Sequence, residues 1–451
     1  MKYDVIIIGS GLGGLECAHI MACCGMRVLV LEQGTHAGGC MQSYRRGNLN
    51  FDTGFHYVGG LSEGESLHNA FRKLNLLHLP WYRMDEHFDR INIGDKTYCF
   101  VQGFKNFAMT LAKNFPEDSS GLEKLATLLQ NCSGTSVSHN DFEMQAQVSA
   151  LQYLHSIINN PLLIDILCTP ASVKGEMCRA SLPLFTFLHE NSGCIESAWR
   201  LKGPGNMIVH SLLNDFSCMG GNIITKARVT ELVVTNKRII KAVCEDGRTF
   251  EANIFISDVH PALTVNMISS SLGIYGRRIS SLKNTNGIFT VSLVLKPHSL
   301  KYFNWNQYLV KENRTIMISC RVPEDDTDYS RQIDLLLPMP DVIINRNREY
   351  EALKNSLADQ YITFAEQFIP HLREMIVERY ISTPLTYNRY TLTPNGSAFG
   401  IRKDFRNPMM TYLSPRTPIA NLYLTGQSLM LHGVHGVTMT AFDTCKNIIN
   451  K

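Results

Sequence analysis

The first 32 residues constrain this chain more tightly than any other stretch. Tyr3-Asp4-Val5-Ile6-Ile7-Ile8 is a short apolar run, Gly9-Ser10-Gly11-Leu12-Gly13-Gly14 a glycine turn, and Arg27-Val28-Leu29-Val30-Leu31-Glu32 a second apolar run closed by an acid. A buried strand, a glycine turn, a helix and a second strand ending in an acid form the pattern of a dinucleotide-binding βαβ unit. Each part has a physical task. Gly9 permits the tight turn, Gly11 lets a pyrophosphate approach the backbone, and Gly14 lets the helix lie close on the sheet. The helix N-terminus offers unpaired N–H groups and a partial positive charge to the phosphates. Glu32 is placed to accept hydrogen bonds from ribose hydroxyls, and its charge disfavours a 2′-phosphate.

Composition narrows the partners. The 451 residues are 44% hydrophobic and 18% charged, with a net charge of +3 and no basic tract, so nucleic-acid binding has no support. The 13 cysteines include no CxxC pair and no Cys/His metal spacing, so no metal site is expected. No apolar run approaches the roughly 20 residues that span a bilayer. With no signal-peptide pattern at the N-terminus, the chain reads as reduced and cytoplasmic.

Further motifs extend the first. Glu32 is followed by Gln33 and Gly34, then Gly38-Gly39-Cys40-Met41, then Phe51-Asp52-Thr53-Gly54-Phe55-His56-Tyr57. Near the end stand Asn421-Leu422-Tyr423-Leu424-Thr425-Gly426-Gln427 and His432-Gly433-Val434-His435-Gly436-Val437. Together these resemble the FAD-dependent amine oxidase and phytoene desaturase superfamily, and most closely its retinol saturase and carotenoid isomerase branch. The likeness covers the stretch to about residue 60, Lys202 to Pro261, and the C-terminal stretch. It implies FAD as cofactor. The segment carrying Gln33, Gly38, Gly39, Cys40 and Gly54 would wrap its flavin side, and the segment carrying Gly426, Gln427, Gly436 and Val437 would close over the ring. It also implies that the backbone of Val229 reads the adenine edge. Two departures weigh against amine oxidation: Cys40 replaces the arginine usual after the paired glycines, and Gln427 replaces the usual acid.

The resemblance implies an α/β fold. A Rossmann-like FAD-binding domain of glutathione reductase type, with a β-meander, is built from residues 1–75, 200–265 and 415–451. An α+β substrate domain is inserted twice, over 76–199 and 266–414. Strand-like runs at Asn222–Ala227, Val229–Thr235, Ile239–Glu245 and Phe250–Ser257 are expected, the last three forming the meander. Pro116, Pro161, Pro170 and Pro183 are expected to break helices. A long helix is expected from Glu349 to Ile369.

The implied activity is oxidoreduction at carbon–carbon double bonds of an apolar isoprenoid or polyene lipid, by saturation, desaturation or cis/trans isomerisation. A flavin amine oxidase and a non-catalytic lipid-binding protein of GDP-dissociation-inhibitor type are the alternatives. His56, Tyr57, His432 and His435 fall in segments the resemblance places beside the ring, and are candidates for proton transfer. Tyr387 and Arg389 are weaker candidates. With one glycine-rich motif only, electrons would come from or go to a diffusible partner. The apolar stretches 161–167 and 180–188 have two readings: plain core, or the wall of a tunnel and a peripheral membrane contact.

Overall fold

The two apolar runs become strands because each is bounded by turn residues and is apolar on both faces, as a central parallel strand must be. They form β1 (Tyr3–Ile8) and β2 (Val28–Leu31), joined through helix α1 (Leu12–Cys23). The computed structural model describes residues 2–133, 139–173, 180–269, 272–311, 314–325, 327–339 and 348–450. Three further strands, β3 (Asn222–Ile224), β4 (Ala252–Ser257) and β5 (Leu422–Leu424), complete a five-stranded sheet of order β3-β2-β1-β4-β5. All its pairings are parallel. The carboxyl ends of strands far apart in sequence therefore share one edge, where ligands of open α/β sheets bind.

A seven-stranded sheet forms a second layer. Its order is Ile376–Ser382, Gly287–Leu295, Gln332–Met339, Arg314–Cys320, Asn306–Lys311, His87–Ile93 and Lys96–Val101. One pairing, between Asn306–Lys311 and His87–Ile93, is parallel. Alternation along Gly287–Leu295 sends Phe289, Val291, Leu293 and Leu295 to one core, shared with helix Arg348–Ala365. Ile288 faces the other core, beneath helices α2 (Pro161–Val173) and α3 (Leu184–Glu196).

Several expectations are corrected. The run Phe250–Ser257 splits at Glu251: Thr249–Phe250 closes a three-stranded meander with Val229–Thr235 and Arg238–Cys244, whereas Ala252–Ser257 leaves it to pair with β1. The strand from Asn222 stops at Ile224, and Lys226 takes a left-handed conformation with φ 51°. Pro161 and Pro183 open helices rather than ending them, since a first-turn residue has no amide bond to lose. Pro170 is tolerated within α2. The helix expected from Glu349 ends at Ala365.

The stretches 161–167 and 180–188 are core. Leu163, Ile164, Ile166, Leu167 and every residue from Leu184 to Leu188 are buried, so neither stretch offers a face to a membrane. The cluster they join reaches Tyr387, with Cys40, Tyr57 and Phe399 packed against it. Leu188, wholly buried, should therefore cost about 2–5 kcal/mol when replaced by Ala. Urea unfolding checks this, and a loss under ~0.5 kcal/mol, usual for surface changes, would place it outside the core.

Candidate cofactor and active site

The glycine turn is shaped by contacts as much as by backbone freedom. Gly9 has φ 92°, and its amide donates to the Leu31 carbonyl at 2.9 Å. A Cβ on Gly14 would strike the Gly9 carbonyl oxygen, so the helix can sit this close to β1 only with glycine there. Cβ atoms on Gly11 and Gly13 would strike the carboxylate of Asp258, the residue that follows β4. With Gly11 as its cap residue, α1 begins at Leu12, and its first-turn amides have no intrahelical partner.

Glu32 stands at the end of β2 and turns toward this loop. Its carboxylate accepts the Ser10 amide at 3.0 Å, the Ser10 hydroxyl, and the Gly34 amide at 2.6 Å. The next segment is laid over the turn: the Gly38 amide donates to the Ser10 carbonyl at 2.9 Å. A Cβ on Gly39 would lie 3.1 Å from the Gly11 Cα. The Cys40 carbonyl accepts the Thr53 hydroxyl at 2.9 Å and lies 3.1 Å from where a Gly54 Cβ would be. Burial, helped by the Asp258 charge, pushes the Cys40 thiol up to about 11, so it stays a thiol at neutral pH. Gln33 reaches outward instead, and its amide donates to the Tyr390 carbonyl at 3.0 Å.

From the far end of the chain, Gly426 follows β5 with φ 93°, and a Cβ there would lie 2.6 Å from Asp258 Oδ1. Gln427 is half-buried beside Gly400. Helix α4 (Gly433–Ile449) starts just beyond, and its Val437 packs with Leu12, Leu15 and Met41. Gly436 is close to Leu431, where a Cβ would collide. Val229, buried at the head of the meander, pairs with Cys244. The acid at a strand end, the free amides and three glycine crossings fit a dinucleotide.

The four proton-transfer candidates do not form one cluster. His56 lines a cavity of about 220 Å³ with Asp52, Arg200, Arg321 and Asp334. Burial keeps its imidazole below the usual range, although Asp334 and Asp52 pull the other way. Arg321 pairs with Asp52, while Arg200 spends its terminal nitrogens on the Cys320 and Trp305 carbonyls and on Asn306 Oδ1. Tyr57 points elsewhere: its hydroxyl donates to Asp89 at 3.4 Å, and Asp89 also accepts Asn306 Nδ2 at 2.8 Å. Burial and the Asp89 charge hold the phenol well above its ordinary range. His432 Nδ1 lies 2.7 Å from Glu190 Oε1, and its ring packs on Phe399. His435 Nε2 meets the Ser66 hydroxyl at 3.0 Å, and burial lowers this imidazole to about 4. His189 is likewise lowered to about 4 by burial, with His435 adding to the effect. Tyr387 is buried and donates to the Thr53 carbonyl at 2.7 Å, tying helix Pro384–Thr391 to the His56 turn. The neighbouring Arg389 places its guanidinium 5.7 Å from the Tyr390 ring centroid.

Asp258, Asp89 and Glu190 are site residues that sequence reasoning passed over. The first had a signal, an acid directly after a strand, hidden by assigning that strand to the meander. Glu190 follows the apolar run that ends at Leu188, among the polar residues His189, Asn191 and Ser192, so nothing local marks it. Asp89 is a lone acid in a strand, and nothing local shows that Tyr57 and Asn306 converge on it.

Known proteins share parts of this chain's sequence and its fold. A family model described as an NAD(P)-binding Rossmann-like domain matches residues 7–74. All-trans-retinol 13,14-reductase of Danio rerio is 24% identical, over 99% of this chain and 86% of the relative. The lycopene-forming phytoene desaturase of Pseudescherichia vulneris is 22% identical over 98% of both chains. A prolycopene isomerase from an Oncidium hybrid cultivar is 22% identical over 95% of this chain and 80% of its own. Among solved structures, putrescine oxidase bound to putrescine superposes with a TM-score of 0.72 over the whole of both chains at 14% identity, a likeness of fold.

His189 and His435, both lowered to about 4, set a pH dependence. Both are neutral when folded and regain a value near 6.5 when unfolded. Their contribution is complete above about pH 6.5 and is lost as pH falls toward 4. His435→Gln should therefore be destabilised at pH 7.5, with the gap to the parent closing by pH 4.5. Melting temperatures across that range test this; a gap that stays constant would contradict it.

Proposed function

We propose, for a chain that belongs to the amine-oxidase-like flavoprotein superfamily on its retinol saturase and phytoene desaturase side, an FAD-dependent oxidoreductase. Its reaction is saturation, desaturation or cis/trans isomerisation of carbon–carbon double bonds in an apolar isoprenoid or polyene lipid. One observation carries this reading: end-to-end likeness to three enzymes named for polyene chemistry, in a chain whose glycine turn and terminal acid are intact. FAD is the dinucleotide that fits best. The Gly9–Gly14 turn and Glu32 would hold its adenosine and diphosphate end, and the Gly38–Cys40 and Gly426–Val437 segments its flavin end. When bound, it supplies a ring that can give or take a hydride.

The chain's own groups then have distinct tasks. The apolar cluster against Tyr57, Cys40 and Phe399 keeps water from this side of the site. Burial leaves His56 and His435 neutral at physiological pH, so neither starts as an imidazolium. His432 lies against a carboxylate, with Nδ1 facing Glu190, and Nε2 is the nitrogen this reading assigns to giving or receiving a proton. Electrons pass to or from a diffusible partner, because the sequence carries no second glycine-rich nucleotide motif.

Amine oxidation is the runner-up, favoured by the putrescine oxidase fold and opposed by Cys40 and Gln427. The deciding experiment supplies purified FAD-loaded protein with a reductant or an electron acceptor, and with a panel of retinoids and acyclic carotenoids. Mass and chromatographic analysis should show a gain or loss of two hydrogens, or an isomer of equal mass. Turnover of diamines with no change in any polyene would overturn the reading. Within it, Glu190→Gln and His432→Gln should each slow single turnover by about 10²–10⁴-fold at full flavin occupancy. Unchanged rates would remove the pair from proton transfer.

A further inference from the structure

The glycine turn contains a charge that dinucleotide binding does not ask for. Asp258 follows β4 and places its carboxylate beneath the first turn of α1. Four glycines surround it: a Cβ on Gly11, Gly13, Gly14 or Gly426 would run into this side chain. The backbone amides of Gly14 and Gly11 lie near enough to favour its charged form, against burial. Those of Leu12 and Gly13, in the same first turn, are left for an external anion. The residue itself is half-buried rather than sealed in.

Its ionisable neighbours are acids or thiols. Glu32 faces it from the end of β2, and Cys40 from the segment laid over the turn. From α1 come Glu16 and Cys17, both fully buried. Burial holds Glu16 well above the carboxylate range, and its Oε1 accepts the Thr438 hydroxyl at 2.7 Å. His260, two residues on, pairs through Nε2 with Asn284 at 2.7 Å. Among the described residues no cation forms an ion pair with Asp258.

Resting on the flavin reading above, we infer that Asp258 couples cofactor capture to proton uptake. Protonated, it braces the turn and tolerates the diphosphate; ionised, it opposes that charge across the same amides. Burial first, then the Glu32 charge, lifts its carboxyl to about 7 against the opposing pull of the two amides. The sign follows. A diphosphate arriving beside it favours the neutral acid still more, so binding raises the pKa and takes up a proton. Affinity is then flat below about pH 6 and falls as pH rises through 7, by at most tenfold per unit.

The test is calorimetric titration of the full-length apoprotein with FAD, in two buffers of different ionisation heat, at pH 6 and pH 8. Proton uptake should approach one per FAD at pH 8 and fall toward zero at pH 6. Affinity should weaken roughly five- to twentyfold between pH 6.5 and 8.5. Asp258→Asn, which keeps an acceptor for the amides, should bind FAD with no proton uptake and no pH dependence. Should that variant not fold, the two-buffer experiment on the parent decides alone. FAD binding without proton uptake at pH 8 overturns the inference and leaves the flavin reading standing. No FAD binding at any pH overturns both.

Discussion

A Cβ on Gly14 would strike the carbonyl oxygen of Gly9, and this contact fixes how near the first helix lies to the first strand. The closeness has consequences well beyond the first unit. It brings the helix N-terminus over the carboxyl edge of the sheet, where Asp258 arrives at the end of β4 and Gly426 at the end of β5. A Cβ on Gly13 would lie 3.2 Å from Gly426, so the last strand crosses the first helix with no room for side chains between them. Helix α4 then packs on α1, and its Thr438 reaches Glu16. Three distant stretches of chain are thus locked around one turn.

That locking explains the electrostatics. Several groups around the site are shifted toward their neutral forms. Burial raises the acids Glu16 and Asp258, and it lifts Glu196 to about 7, assisted by Glu65. The same cause lowers His56, His189 and His435. A region that suppresses charge on acids and bases alike suits an apolar substrate, because few fixed charges compete with it for desolvation. Close to them Arg321 pairs with Asp52, and His432 Nδ1 lies against the Glu190 carboxylate.

What could be read from the sequence follows from which signals are local. The βαβ unit was legible because the glycines, the apolar runs and Glu32 lie within one short window. The two middle helices were legible as apolar segments, but whether they face water or core depends on neighbours such as Tyr98 and Phe107, which local pattern does not report. Phe250–Ser257 failed at a single residue: a register change at Glu251 moves the second half into another sheet, and with it hides Asp258. The proton-transfer candidates were chosen by proximity in motifs. Adjacent residues on an extended segment point to opposite sides, so His56 and Tyr57 face different surroundings. Partners such as Glu190 and Asp89 belong to other elements and become visible only after folding.

The claim on which all of this depends is that the Gly9–Gly14 turn, with Glu32 at its mouth, is a working FAD site. The direct measurement is an equilibrium titration of apoprotein with FAD at pH 6.5, followed by flavin fluorescence and by melting temperature, with Gly11→Val alongside. The account predicts saturation at one FAD per chain and a melting temperature that climbs with excess ligand, as binding to the folded state alone requires. Gly11→Val, whose side chain would overlap the Asp258 carboxylate, should show neither. Absence of saturable binding by the parent, or equal binding by the variant, would contradict it.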